Sequence, residues 1–144
     1  MTIAELRKRS NSFVSNLDVI LGRIVTDNEA LEELNKQQLR ASKLANDQRI
    51  TPDYKPSYSN WKHEVYPGSW NGGRVNLFLT GDLYKNMEIT YKGDQYEILS
   101  LLPYVAKLED KYGSEIFGIA PSNQQKAQQI TTTLLSEEFK KQVL

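Results

Sequence analysis

Between Val75 and Phe117 the hydrophobic spacing changes character repeatedly, and no single-class fold accommodates it. The extended-type run Val75-Asn76-Leu77-Phe78-Leu79 meets Thr80-Gly81-Asp82-Leu83 and two runs of alternating type follow. The stretch closes on Tyr104-Val105-Ala106-Lys107-Leu108-Glu109-Asp110-Lys111-Tyr112-Gly113. That order predicts a strand, a turn, a short helix, a hairpin and a second short helix stopped by glycine. We therefore expect an α+β fold: a small antiparallel sheet of three or four strands, with a long N-terminal helix or helical hairpin and a C-terminal helix packed on it.

The chemistry of the turn is local. Thr80 is suited to N-cap a helical turn over 82–87, Asp82 puts a carboxylate at its positive end, and Gly81 lets the chain swing from extended to helical without a Cβ clash. Leu83 and Met87, four apart, share a face. Met87, Ile89 and Tyr91 alternate with Glu88, Thr90 and Lys92, Gly93-Asp94 turns the chain, and Gln95 to Leu101 returns it. Pro103 is expected in the first turn of the next helix, with Val105, Leu108 and Tyr112 on one face and Gly113 as its C-cap. Residues 116–120 read as a short edge strand or an irregular turn.

The flanks are helical. Ile3, Leu6, Ser10, Phe13, Leu17, Ile20 and Ile24 recur at three- and four-residue steps, predicting a helix over 2–25 with a capping box from Thr2 and Glu5. Thr26, with Glu29 three residues on, is a second start signal, and a poorer stripe of Ala30, Leu31, Leu34, Gln38, Leu39 and Ala45 continues to about residue 46. The two are one bent helix or a hairpin. The second has so few large apolar residues that it is expected to be exposed or covered by a partner. Pro121-Ser122-Asn123 opens a last helix carrying Ala127, Ile130, Leu134, Leu135, Phe139 and Val143 on a narrow stripe.

From Asp47 to Gly73 the periodicity is lost. Pro52, Pro56, Pro67, Gly68, Gly72 and Gly73 punctuate a stretch that carries Tyr54, Tyr58, Trp61, Tyr66 and Trp70, which argues against regular helix or central strand. The aromatics argue against disorder. Two readings stay open: a loop whose rings pack back on the sheet, or an arm that grips a neighbour through Tyr54, Tyr58, Trp61 and Trp70, since Trp and Tyr concentrate at interface hot spots. The 144 residues are one domain's worth, divided as 1–47 helical, 48–74 arm or loop and 75–144 core.

Composition narrows the function classes. Lys+Arg 18 balances Asp+Glu 18, which argues against a general nucleic-acid binder. The absence of cysteine excludes disulfides and thiolate metal sites. No run has the length needed to cross a bilayer, and the first residues lack the apolar core of a signal peptide. His63 is the only histidine and no nucleophile signature accompanies it. Glu109 with Asp110, and Glu137 with Glu138, are adjacent helix positions that point apart, unlike a glycosidase pair or a metal clamp. Asn71-Gly72-Gly73-Arg74 lacks the Lys and following helix of a phosphate loop. We expect no catalysis, no cofactor and no metal.

Thr-Gly-x-Leu, a hairpin, a Tyr-x-x-x-x-Glu-x-x-Tyr-Gly box and a Pro-led amphipathic helix follow one another in fixed order. This arrangement resembles the bacteriophage tail-completion or virion morphogenesis proteins, through Thr80, Gly81, Leu83, Tyr104, Glu109, Tyr112, Gly113, Pro121, Ala127, Ile130 and Phe139. It covers the C-terminal half. The chain departs from the family pattern at Tyr84-Lys85-Asn86-Met87 and carries two extra residues around Glu109 to Ser114. The resemblance implies a small virion protein of the head–tail junction, assembled in the host cytoplasm as a ring of copies against portal, neck or tail proteins. DNA would pass through the lumen without sequence-specific binding, and Glu109 would form an intersubunit ion pair. The competing expectation is a small non-catalytic adaptor that binds a protein partner through its aromatic loop.

Overall fold

The computed structural model describes residues 1–92 and 95–144, so the expected Gly93-Asp94 turn lies outside the described residues. Seven α-helices and one antiparallel hairpin are present among them: α1 Ile3–Ser15, α2 Leu17–Asp27, α3 Ala30–Arg40, α4 Pro56–Val65, α5 Asp82–Lys85, β1 Met87–Lys92, β2 Gln95–Ser100, α6 Val105–Tyr112 and α7 Gln124–Val143. The fold is α+β, closed by its C-terminal helix.

The expected first helix forms in two pieces. Its capping box is complete, with the Glu5 N–H donating to Thr2 Oγ1 at 3.1 Å and the Thr2 N–H donating to Glu5 Oε2 at 2.7 Å. Asn16 breaks the run: its side-chain amide donates to the Ser12 carbonyl at 3.0 Å and its backbone leaves helical geometry. The apolar stripe survives the break. Phe13, Ile20 and Ile24 are buried with Val143, and Leu134, Leu135 and Phe139 of α7 pack against them, Phe13 meeting Phe139 edge to face at 5.2 Å. The forward part of α1 buries nothing, and Ile3 is 79% exposed.

Thr26 does not start the next helix. Its hydroxyl donates to the Gly22 carbonyl at 2.8 Å inside the last turn of α2, and α3 begins after Glu29 without a side-chain cap. Nor is α3 exposed, as its thin apolar stripe suggested. Leu31, Leu34 and Leu39 are buried in the main core, and so are Glu32, Asn35 and Gln38 between them. Two of these polar groups explain the position. Asn35 Nδ2 donates to the Ile116 carbonyl at 3.0 Å and Asn35 Oδ1 accepts from the Gly118 N–H at 2.8 Å. One turn on, Gln38 Nε2 donates to the Gly118 carbonyl at 2.9 Å and Gln38 Oε1 accepts from the Ala120 N–H at 2.9 Å. The backbone over 116–120 therefore has its partners without joining a sheet. Gly118 sits at φ +133, and a Cβ there would lie 2.9 Å from that of Ala45, so only glycine fits under the clamp.

The three or four strands expected reduce to two among the described residues. Ile116 to Ala120 is held by α3, and Val75 to Leu79 pairs with no strand, its extended course broken at Leu77, which sits in the left-handed region at φ +53. In the latter the Leu77 N–H donates to the Tyr54 hydroxyl at 3.1 Å, the Phe78 N–H to Asn76 Oδ1 at 3.2 Å, and the Asn76 carbonyl accepts from the Tyr84 hydroxyl at 2.6 Å. Side chains have replaced the ladder. The expected hairpin forms, pairing Met87 with Ser100 and Ile89 with Ile98, with all four buried in the core.

The segment over 48–74 is not irregular throughout. Pro56 occupies the first turn of α4, where its missing N–H costs nothing, and Pro67 falls beyond its end and opens a 3₁₀ turn. The prolines bracket a helix rather than prevent one. Likewise Pro103 precedes α6, whose N-cap is Tyr104, instead of lying in its first turn.

Replacing Gln38 with alanine strands the buried Gly118 carbonyl and Ala120 N–H, and should cost about 3 kcal/mol. Urea unfolding monitored by circular dichroism measures this. A loss under about 0.5 kcal/mol would show that the clamp is ornamental.

Candidate functional site

The turn at Thr80 is made by its glycine. Gly81 adopts φ +89 and ψ 4 and itself takes the N-cap position of α5, and no side-chain capping bond is formed by Thr80. The residue cannot easily change, since a Cβ would lie 3.2 Å and 3.3 Å from Cε2 and Cζ of Phe78. Behind the turn, Leu83 and Tyr84 are buried and Phe78 packs edge to face on Tyr84 at 4.9 Å. Burial raises the Tyr84 phenol pKa well above its ordinary value, so the hydroxyl stays a donor to Asn76.

Facing the turn is α6. Tyr104 precedes its first residue, Tyr112 ends it, and Gly113 caps it with an N–H donated to the Glu109 carbonyl at 2.7 Å. Between the turn, α6 and the start of α4 lies a cleft of about 390 Å³, within the range of small-ligand pockets. Tyr54, Tyr58, Phe78, Tyr104 and Tyr112 supply its aromatic walls, Thr80 to Leu83 its rim, and Asp82 and Lys111 its charges. Residues far apart in sequence thus converge: Thr80, Gly81, Leu83, Tyr104 and Tyr112 from the motif, Tyr54 and Tyr58 from the arm. Glu109 and Gly113 stand outside it, as do Trp61 and Trp70.

From the cleft an aromatic ridge runs along α4. Tyr54 to Tyr58 is 4.9 Å between ring centroids, Tyr58 to Trp61 5.8 Å and Trp61 to Tyr66 5.6 Å. Tyr58 and Trp61, three apart within α4, share a face, and Tyr66 joins them because the chain leaves helical geometry there. Trp61 is 44% exposed, an unusual placement for so large an apolar surface. Trp70 braces the helix from the side, stacking on His63 at 3.9 Å and donating Nε1–H to Ser59 Oγ at 3.0 Å. Glu109 is half-buried, and among the described residues it has no ion-pair partner within the chain.

One functional group escaped the sequence reading. Lys62, on the inner face of α4, is only 1% exposed, with Nζ donating to Asn76 Oδ1 at 2.7 Å and lying 4.8 Å over the Tyr54 ring. Desolvation pushes its pKa down to about 8. Tyr54, held against it, is pushed up to about 12, chiefly by burial. A pattern search finds neither, because the pair joins a helix to an extended run and has no fixed spacing. The only hint was Asn76 inside an apolar run.

Aromatic faces with one carboxylate and one ammonium make a recognition surface for apolar or cationic groups. No group of three or more His, Cys, Asp or Glu side chains arranged to hold a metal occurs among the described residues. No helix among them is long and apolar enough to cross a membrane. Comparison with protein-family models, curated proteins and solved structures finds no match to this chain.

Two outcomes test the site. Unfolded Lys62 keeps its proton up to its ordinary 10.5, while the folded amine gives it up near 8, so above pH 8 the unfolded state holds more protons and stability rises with pH. The rise ends near pH 10, where unfolded tyrosines ionise before Tyr54 does. Stability between pH 8 and pH 10 should therefore climb in the native protein and stay flat in Lys62→Met; equal slopes would refute the assignment. Gly81→Val combines a positive φ with a clash on Phe78 and should destabilise by about 3 kcal/mol, and native melting in that variant would undo the account of the turn.

Proposed function

We propose that this chain is a structural, non-catalytic virion component of a bacteriophage head–tail junction, one segment of a ring of identical copies between portal and tail. Support comes first from the ordered motif around Thr80, Tyr104, Glu109 and Tyr112, most of whose residues meet at one cleft. The observation that carries an assembly role is the exposed aromatic ridge of Tyr58, Trp61 and Tyr66, because a large apolar strip facing solvent is what a permanent neighbour covers. A closed ring uses a heterologous interface, one patch of each copy meeting a different patch of the next. In this reading the ring assembles in the host cytoplasm, binds portal, neck or tail proteins and lets DNA slide through its lumen. The size of the cleft favours a second reading, a small adaptor that seats side chains of a peptide partner.

Trp61→Ala tests the first reading. The variant should keep its far-ultraviolet dichroism and melting, since Trp61 lies outside the core, while the midpoint concentration for assembly rises about 30-fold. Light scattering after size exclusion reads the shift. A folded variant that assembles as the native protein does would remove the ridge from the interface.

A further inference from the structure

The cleft lacks a tenant and α1 lacks a cover. Helix α1 carries Ile3, Leu6 and Arg7 at i, i+3 and i+4, hence on one face, and all three are exposed. Ile3 and Leu6 continue the stripe that Phe13, Ile20 and Ile24 bury against α7, yet nothing among the described residues covers them. The same helix carries Arg7, Lys8 and Arg9, none of them in an ion pair among the described residues. Its one acid, Glu5, is engaged in the capping box. The cleft presents complementary groups: tyrosine faces that receive apolar or cationic groups, and Asp82, likewise without an ion pair among the described residues. Lys111, the other charge in the cleft, is set over the Tyr112 ring at 5.2 Å.

We propose that the occupant of the cleft is α1 of a second copy of this chain, with Ile3 and Leu6 seated among Tyr58, Tyr104 and Tyr112 and Arg7 paired with Asp82. The two surfaces are distinct patches, α1 belonging to the smaller hydrophobic cluster and the cleft to the larger, as a head-to-tail contact requires. This inference rests on the ring reading and specifies one of its contacts.

The absence of cysteine makes the contact directly addressable. A chain carrying Leu6→Cys is mixed with one carrying Tyr104→Cys, both verified as folded by circular dichroism, and oxidised at a concentration where light scattering shows oligomers. Mixed disulfide dimers in severalfold excess over either like pair support the contact. A second arm uses charge: Arg7→Glu should lower the oligomer fraction severalfold, and Asp82→Arg in the same chain should restore it. Oligomers in which Leu6→Cys chains link chiefly to one another assign α1 to α1 pairing and overturn the inference while leaving the ring intact, as do oligomers without mixed links. If Arg7→Glu instead abolishes retention of duplex DNA and leaves the oligomer unchanged, the cations of α1 serve phosphate and the inference fails. A strict monomer at millimolar concentration overturns both the contact and the ring.

Discussion

Two buried amides hold this fold together. Asn35 and Gln38, one turn apart on α3, supply donors and acceptors to backbone groups of the alternate residues Ile116, Gly118 and Ala120, and Gln38 also accepts from the Asn123 side chain at 2.9 Å. A side-chain amide carries both a donor and an acceptor, so it can substitute for a strand edge. That substitution lets a chain with one hairpin bury a connector that would otherwise need a third strand. It also fixes where α7 starts, because Asn123 directly precedes that helix. The position of α7 then decides what the N-terminal helices can cover.

The same device recurs on the other side of the core. Asn76 in the extended run accepts from Lys62 and from its own Phe78 N–H, while its amide donates to the Ser69 carbonyl at 2.9 Å. Together with Tyr54 and Tyr84, it ties α4 and the Thr80 turn to one run of backbone. The cleft is the space left between those tied pieces and α6. One ring of its aromatic lining, Tyr54, is held from behind by the bond its hydroxyl accepts from the Leu77 N–H.

How much of this was legible depended on range. Signals confined to a few residues read correctly: the Thr2–Glu5 capping box, the alternation of Met87, Ile89 and Tyr91, and the glycine stop after Tyr112. So did the α7 stripe, whose Leu134 and Phe139 meet α2 and α1. Misreadings arose where a residue's partner was distant, and also at Thr26 and Thr80, where a local cap signal was not used. Gln38 falls on the stripe of the second helix, but neither it nor Asn35 announces a buried role, because their partners lie about eighty residues on. Val75 to Leu79 looked like a strand because β propensity does not say whether an edge awaits it. Pro56 and Pro67 argue against a helix by composition, yet their places at the start of and beyond α4 are those a helix tolerates. For the site, the motif and the arm were each visible, but their meeting at one cleft was not.

The division of the apolar interior into two clusters has a mechanical side. Phe13, Ile20, Ile24 and Val143 form a satellite apart from the larger core around the hairpin, and Asn16 interrupts the helix beside it. Contacts within a cluster cooperate and contacts between clusters do so far less, which is how local opening is confined to part of a molecule. Opening confined to the satellite, where α1 and α2 meet α7, would thus leave the hairpin and the clamp shut.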